Sequence, residues 1–185
     1  MIKRLKFSYF YRYLLWLILG CLSCSNSGET RDVSKSETLP RNEDVTIFLV
    51  AYGEGVNPES LPPNSFKFGC GDFLVPVSLT LENNEVLDLK TALNKLFGIK
   101  SHIIGSINLV NVFSERGNAV KVDSIYIEND TTVVEISGRI NAGHCDDPRI
   151  ISQLKRTINF YVENFKIKYN GSEENWHKLF DVSGE

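Results

Sequence analysis

The sequence lacks the short motifs that mark several common catalytic sites. It contains no Gly-x-Ser-x-Gly nucleophile turn, no Gly-rich phosphate-binding loop and no His-Glu-x-x-His zinc motif. Only three histidines occur among 185 residues, and His102 and His177 are each isolated in the sequence. The sequence therefore carries none of the familiar signatures of serine hydrolases, nucleotide-binding enzymes and zinc proteases. We expect neither enzyme activity nor a cofactor.

Basic residues are scarce beyond the first twenty positions. Residues 1–20 carry four Lys and Arg and no acidic residue, which leaves 16 Lys and Arg against 23 Asp and Glu in the rest, a formal charge of −7. Nucleic acids and anionic membrane surfaces are bound by clustered Lys and Arg. We therefore expect no nucleic-acid partner, and any membrane attachment should come from lipid rather than from a basic patch.

The first twenty residues have the pattern of an export signal. A basic start is followed by an unbroken apolar run at 13–19 and then by a small residue, Gly20. The run is too short to cross the hydrocarbon core as a helix, which needs about 20 apolar residues. The sequence therefore predicts an exported protein.

A cysteine directly follows this segment. The segment resembles a bacterial lipoprotein signal, in which Cys21 would be the first residue of the mature chain and would carry acyl groups such as palmitate. Cys24 is the alternative lipid site, and a plain signal peptide with incidental cysteines is the other reading. The resemblance implies a lipid anchor in a bacterial membrane, on its periplasmic or surface side.

The composition divides the chain into four parts. A stretch rich in Ser, Thr, Asn, Glu and Lys follows the signal and has too few apolar side chains to offset the entropy of ordering. A flexible coil of that length spans about 25 Å. The predicted parts are a signal at 1–20, a lipidated, disordered tether at 21–44, one α+β domain at 45–171 and a tail with a short helix at 172–185.

Two cysteines stand alone in the body of the chain. Cys70 and Cys145 are expected to pair, because exported chains fold in an oxidising compartment. The bridge would stabilise the fold by about 4 kcal/mol in the chain-entropy model. The alternative is a metal site that adds His144 and Asp146, but zinc ligands usually come in pairs at short spacing. We therefore expect a disulfide and no metal.

Hydrophobic periodicity predicts an α+β fold. Apolar residues recur at helical spacing in two segments, the first with Asn84 as its expected N-cap and the second with Asp147. Asn129-Asp130 fits a two-residue hairpin turn, and a change of phase at Asp123-Ser124 indicates a β-bulge. The predicted order is strand 45–52, helix 85–97, hairpin strands 120–128 and 131–139, helix 148–164 and strand 165–169. We expect a single antiparallel or mixed sheet with both helices on one face.

Two cysteine-containing segments carry a family resemblance. They are Gly-Cys-Gly-Asp-Phe-Leu-Val-Pro-Val at 69–77 and Gly-His-Cys-Asp-Asp-Pro-Arg at 143–149. Together they resemble the GerMN (sporulation and spore germination) domain, in a cysteine-containing lipoprotein branch, over residues 45–171. The resemblance implies a small fold like the ring-building modules of envelope secretion and sporulation machines, and it implies no enzyme activity.

These observations favour a non-catalytic, lipid-anchored envelope module that binds a protein partner or another copy of itself. The contact would use a sheet edge or a polar surface formed by Asp72, Asp146, Asp147 and Arg149. The first alternative is a small-ligand or glycan-binding module, which would need Tyr52, Phe73, Tyr126 and Trp176 to line one cleft. The second is a hydrolase of envelope polymers, which would need two carboxylates facing each other across a groove.

Overall fold

The computed structural model describes residues 44–82, 84–115, 117–141, 143 and 145–180. The predicted signal, the lipid sites Cys21 and Cys24, and the tether up to residue 43 lie outside the described residues. The described strands are β1 (Asp44–Ala51), β2 (Phe66–Lys67), β3 (Phe73–Thr80), β4 (Ser101–Ile104), β5 (Ile107–Val110), β6 (Ala119–Glu128), β7 (Thr131–Arg139) and β8 (Phe165–Tyr169). The helices are α1 (Leu89–Gly98), α2 (Asp146–Tyr161) and α3 (Glu173–Leu179). None of these helices is long and apolar enough to span a membrane.

The described strands form two sheets. The larger sheet has the order β2-β3-β1-β5-β4, and the smaller has the order β6-β7-β8. β1 pairs antiparallel with β3 along its whole length but with β5 only at Val50 and Val110. The mixed α+β class is confirmed, whereas the predicted single sheet and its six-element order are not found.

Helix α2 covers the part of the β1 edge that β5 leaves unpaired. Three of its side chains, four residues apart, bond to the open backbone edge of β1. Tyr161 Oη accepts from Thr46 N at 2.9 Å and donates to Thr46 O at 3.0 Å. Thr157 Oγ1 accepts from Phe48 N at 3.2 Å, and Gln153 Nε2 donates to Phe48 O at 2.9 Å. The helix therefore satisfies backbone groups that another strand would otherwise pair.

The smaller sheet combines a hairpin with a parallel strand. Asn129 and Asp130 have φ of 50° and 59°, as a tight two-residue turn requires, and the register shifts between Val122 and Ser124. The predicted hairpin and bulge are thus confirmed. β8 lies parallel to β7, and α2 makes the crossover between them. Helix α3 follows β8 in the chain, and its Trp176 is buried against the core.

Both long helices begin at residues other than the predicted ones. α1 begins at Leu89, with Asp88 accepting from Thr91 N at 2.7 Å, while Asn84 has φ of 74° and lies outside the helix. α2 begins at Asp146 and ends at Tyr161. Asp147 therefore lies inside the first turn of α2 and does not cap the helix. At this position its carboxylate still stabilises α2, because negative charge interacts favourably with the positive end of the helix dipole.

Candidate functional site

A disulfide ties two distant segments together at one end of the fold. Cys70 and Cys145, separated by 75 positions, are bonded, with their Cα atoms 6.0 Å apart. Cys70 lies in a 3-10 turn, Gly69–Gly71, and has φ of 59°, whereas Cys145 immediately precedes α2. The predicted cysteine pair is therefore present, and it fixes this turn beside the beginning of α2.

The segment after β1 packs tightly against the same turn. A Cβ atom at Gly53 would lie only 2.1 Å from the carbonyl oxygen of Gly71, so this position accepts no larger residue without a backbone shift. Gly53 N also donates to Asp72 Oδ1 at 2.9 Å. The close approach and the hydrogen bond hold the end of β1 against the disulfide turn.

Arg149 lies at the centre of a charged cluster that includes Asp72, the residue bonded to Gly53. Its Nε donates to Asp72 Oδ2 at 2.6 Å, and its Nη1 donates to Asp146 Oδ1 at 3.3 Å. Its guanidinium lies 4.4 Å from the centre of the Tyr52 ring, within cation–π range. Partial burial would lower the pKa of Arg149, but the hydrogen bond to Asp72 and the charge of Asp72 more than offset it, so this pKa is raised.

This cluster corrects the predicted polar surface. Asp72 is 2 % exposed and Asp146 is 7 % exposed, and both contact Arg149. Three of the four predicted surface residues therefore form an internal ion cluster, and Asp147 is partly buried in the first turn of α2. Because buried charges need partners, the cluster holds the disulfide end together rather than offering free charges to a partner.

Tyr52 extends the cluster towards the surface. Its hydroxyl donates to Glu115 Oε2 at 2.9 Å. Partial burial, followed by the hydrogen bond to Glu115 and the charge of Glu115, raises the pKa of Tyr52 to about 12. The phenol therefore stays protonated at neutral pH and acts as a hydrogen-bond donor.

Two adjoining clefts open on either side of Tyr52. The first has a volume of about 610 Å³, and the second has a volume of about 590 Å³. Tyr52 and Glu54 line both clefts. The first cleft is also lined by Gly53, Cys70, Gly71, Asp72 and Arg149, and the second by Gly55, Val56, Asn57, Ser60, Ser106, Ile107, Asn108, Val110 and Glu115.

An incompletely paired strand forms one wall of the second cleft. β5 pairs with β4 along its length, whereas its other edge meets β1 only at Val110. Backbone groups alternate along a strand, so Asn108 faces the β1 side, and within the described residues it has no ladder partner there. Such an edge beside an open cleft is suited to an added strand. Sequence reasoning left residues 99–117 without assignment, so it did not predict this feature.

The four aromatic residues proposed for ligand binding do not share a cleft. Phe73 and Trp176 are 8 % and 4 % exposed in the core, and only Tyr52 lines the two clefts described above. Tyr126 lies in β6, where its hydroxyl donates to Glu135. The predicted aromatic ligand cleft is therefore wrong. Among the described residues, which do not include His144, no cluster of three His, Cys, Asp or Glu side chains is arranged to hold a metal.

The fold is similar to a solved structure, the tandem GerMN domains of the sporulation protein GerM from Bacillus subtilis. The two share a TM-score of 0.46 and 17 % sequence identity, over 80 % of this chain and 44 % of that one, so this chain spans less than half the length of that structure. That structure belongs to the family that the segments around Cys70 and Cys145 resemble. No family model and no curated protein matches the sequence.

Proposed function

We propose that the chain is an exported bacterial cell-envelope lipoprotein whose GerMN-like domain binds protein and catalyses no reaction. Acyl groups on Cys21 would anchor it in the membrane, on the periplasmic or surface side. The export pattern of residues 1–20 and the cysteine that follows it support the anchor. The likeness of the cysteine segments to GerMN domains supports a role in sporulation or germination.

The observation that carries the binding role is the open edge of β5 in the second cleft. An extended segment of a partner, or of another copy of this chain, would bond to the backbone of Asn108 and lie between β5 and residues 52–57. Backbone hydrogen bonds give such strand addition its affinity, and side-chain pockets give it selectivity.

The charges around the clefts indicate which segments would fit. The charge of Arg149 is matched by Asp72 and Asp146, whereas Glu54 and Glu115 line the second cleft without a cation at hydrogen-bond distance among the described residues. A bound segment should therefore be neutral or carry Lys or Arg, because Glu54 and Glu115 would repel an acidic segment.

A second candidate function uses the same two carboxylates. Glu54 and Glu115 both line the second cleft, and a hydrolase of envelope polymers would need two carboxylates such as these to face each other across it. Incubation of the protein with cell-wall glycan separates the two functions. Release of reducing ends that is lost in Glu54→Gln and Glu115→Gln variants would favour the hydrolase, and no release above buffer would favour the binding role.

Site-specific photo-crosslinking in intact cells tests the binding role. A photoreactive amino acid replaces Asn108 in the full chain, and a matched chain carries it at Lys178, which is exposed on α3. We expect a covalent adduct from position 108 and none from position 178. The mass of the adduct distinguishes another copy from a different protein. No adduct from position 108 would contradict the proposal.

A further inference from the structure

Of the six large apolar side chains that are exposed in the described part of the chain, four lie in segments that approach the beginning of β1. The exposed fractions are 65 % for Val86, 47 % for Leu87, 77 % for Ile127 and 56 % for Phe160. Single exposed apolar residues are ordinary on protein surfaces, whereas several that form one patch mark a contact with another molecule or a membrane. Their positions relative to one another therefore decide whether they have a common role.

The end of α2, the beginning of β1 and the tip of the hairpin lie together. Tyr161, next to Phe160, bonds to the backbone of Thr46 in the first half of β1. Three residues later, Asn164 Nδ2 donates to Asp130 O at 3.1 Å in the hairpin turn. Phe160 and the hairpin tip that carries Ile127 therefore belong to the end of the domain at which β1 begins.

The residues before α1 reach the same end. Burial raises the pKa of Tyr161, the bond to Thr46 opposes this, and the charge of Asp88 raises the pKa further, so the side chains of Tyr161 and Asp88 are close. β3 ends at Thr80, which pairs with Asp44 at the beginning of β1, and residues 86–88 follow Thr80 within eight positions. We name this surface, made of Asp44 and residues 86–88, 127–130 and 160–164, the Asp44 end.

The path of the chain identifies what covers this surface. The described residues begin at Asp44, and 23 positions separate it from Cys21. A flexible coil of that length spans about 25 Å, so an acylated Cys21 would on average hold the Asp44 end closer to the bilayer than the opposite end of β1. The surface also carries the exposed carboxylates of Asp44, Asp88, Asp130 and Glu163. Negative charge favours contact with zwitterionic lipid over anionic lipid.

We propose that the Asp44 end rests on the membrane, with Val86, Leu87, Ile127 and Phe160 inserted among zwitterionic lipids. This inference rests on the proposed lipid anchor and adds a second, weaker contact to it. Apolar side chains at the boundary between headgroups and acyl chains bind reversibly, and the anchor supplies the high local concentration that makes such a contact effective. The contact orients the domain, with the clefts beside Tyr52 turned away from the lipid, because β1 runs from Asp44 at this end to Ala51 beside the clefts.

Photolabelling from lipid tests the orientation. The processed protein, purified from membranes, is placed in phosphatidylcholine vesicles that contain a phosphatidylcholine with a diazirine in its acyl chain. Labelled peptides are then located by mass spectrometry. Ile103, which is 70 % exposed in β4, is the internal reference. We expect at least fivefold more label on the peptides with residues 86–87, 127 and 160 than on the peptide with Ile103. Equal labelling of these peptides and the Ile103 peptide, or no label on the Asp44 end, would overturn the inference. Either result would favour a protein partner at that end.

Matched variants and lipids sharpen the result. Leu87→Ser with Phe160→Ser should reduce labelling of the Asp44 end severalfold, whereas Ile103→Ser should leave it unchanged. Partial replacement of phosphatidylcholine by phosphatidylglycerol should also reduce it. An intact mass without acyl groups would refute the anchor alone. Vesicles added to that unacylated chain at a lipid concentration high enough to replace the anchor then decide the surface: label on the Asp44 end supports the inference, and none overturns it.

Discussion

The side-chain amide of Gln153 joins β1 to the segment after β5 at two backbone groups that are not paired with each other. Its Nε2 donates to the carbonyl oxygen of Phe48 at 2.9 Å, and its Oε1 accepts from the N–H of Val112 at 3.1 Å. Gln153 is fully buried, as is Thr157 one turn later. A polar face of α2 therefore bonds the part of the β1 edge that β5 leaves unpaired, and these bonds fix the position of α2, whose first turn carries Arg149.

Removing the hydrogen bonds of Gln153 and Thr157 to the backbone of Phe48 should lower the free energy of unfolding. Gln153→Leu and Thr157→Val each leave a buried backbone group of Phe48 without its partner, which costs about 1–3 kcal/mol. Asn159→Ala, at an exposed position of the same helix, should change the free energy of unfolding by less than about 0.5 kcal/mol. Urea denaturation measures all three. Equal losses in the three variants would contradict the account.

Gly53 should not accept even one additional carbon atom. In Gly53→Ala the new Cβ meets the carbonyl oxygen of Gly71, and the backbone shift should cost about 2–3 kcal/mol. The matched control is Gly98→Ala at the end of α1, where a Cβ has open space. There the unfolding free energy should stay unchanged or rise by up to about 1 kcal/mol. Thermal melting of both variants decides the point.

The disulfide should contribute a large share of the stability. Replacing Cys70 and Cys145 by Ser removes a link across 75 positions, which should lower the free energy of unfolding by about 4 kcal/mol. The double variant should melt at the same temperature with and without a dithiol reductant, whereas the natural chain should lose stability when reduced. A natural chain insensitive to reductant under unfolding conditions would contradict the bond.

Tyr52 should titrate unusually late. Its pKa in the fold is about 12 and its ordinary value is 10.0. Because the folded value is the higher one, this contribution to stability is complete below pH 10 and is lost as pH rises through 12. Tyrosinate absorbance, taken as the difference from Tyr52→Phe, measures this pKa. Glu115→Gln should lower it towards 10, whereas Glu54→Gln, which removes a carboxylate not bonded to Tyr52, should change it much less.

Local patterns were sufficient to predict several elements. The hairpin is specified by Asn129-Asp130, which accept positive φ, and by the alternating apolar residues on both sides. The division into two sheets could not be predicted in this way. Gln153 and Thr157 interrupt an apolar helix face and look like solvent-facing residues in the sequence, although both are buried against β1. Tertiary hydrogen bonding decides their positions, and helical periodicity carries no signal for it.

The candidate site was only partly predictable. The sequence indicates that Cys70 and Cys145 pair, and that Asp72, Asp146 and Arg149 lie near them. It does not indicate that these charges bond to one another, because Asp72 and Arg149 are 77 positions apart and their pairing depends on the folded path of β1 and α2. The second cleft depends on how far β5 diverges from β1, which no local motif encodes.

The mass of the intact protein from the membrane fraction tests the central claim most directly. A lipid-anchored envelope module should yield a chain that begins at Cys21, carries two or three acyl groups and has the mass of a chain with Cys70 and Cys145 joined. A chain that keeps residues 1–20, carries no acyl group and has all its thiols free would contradict the account.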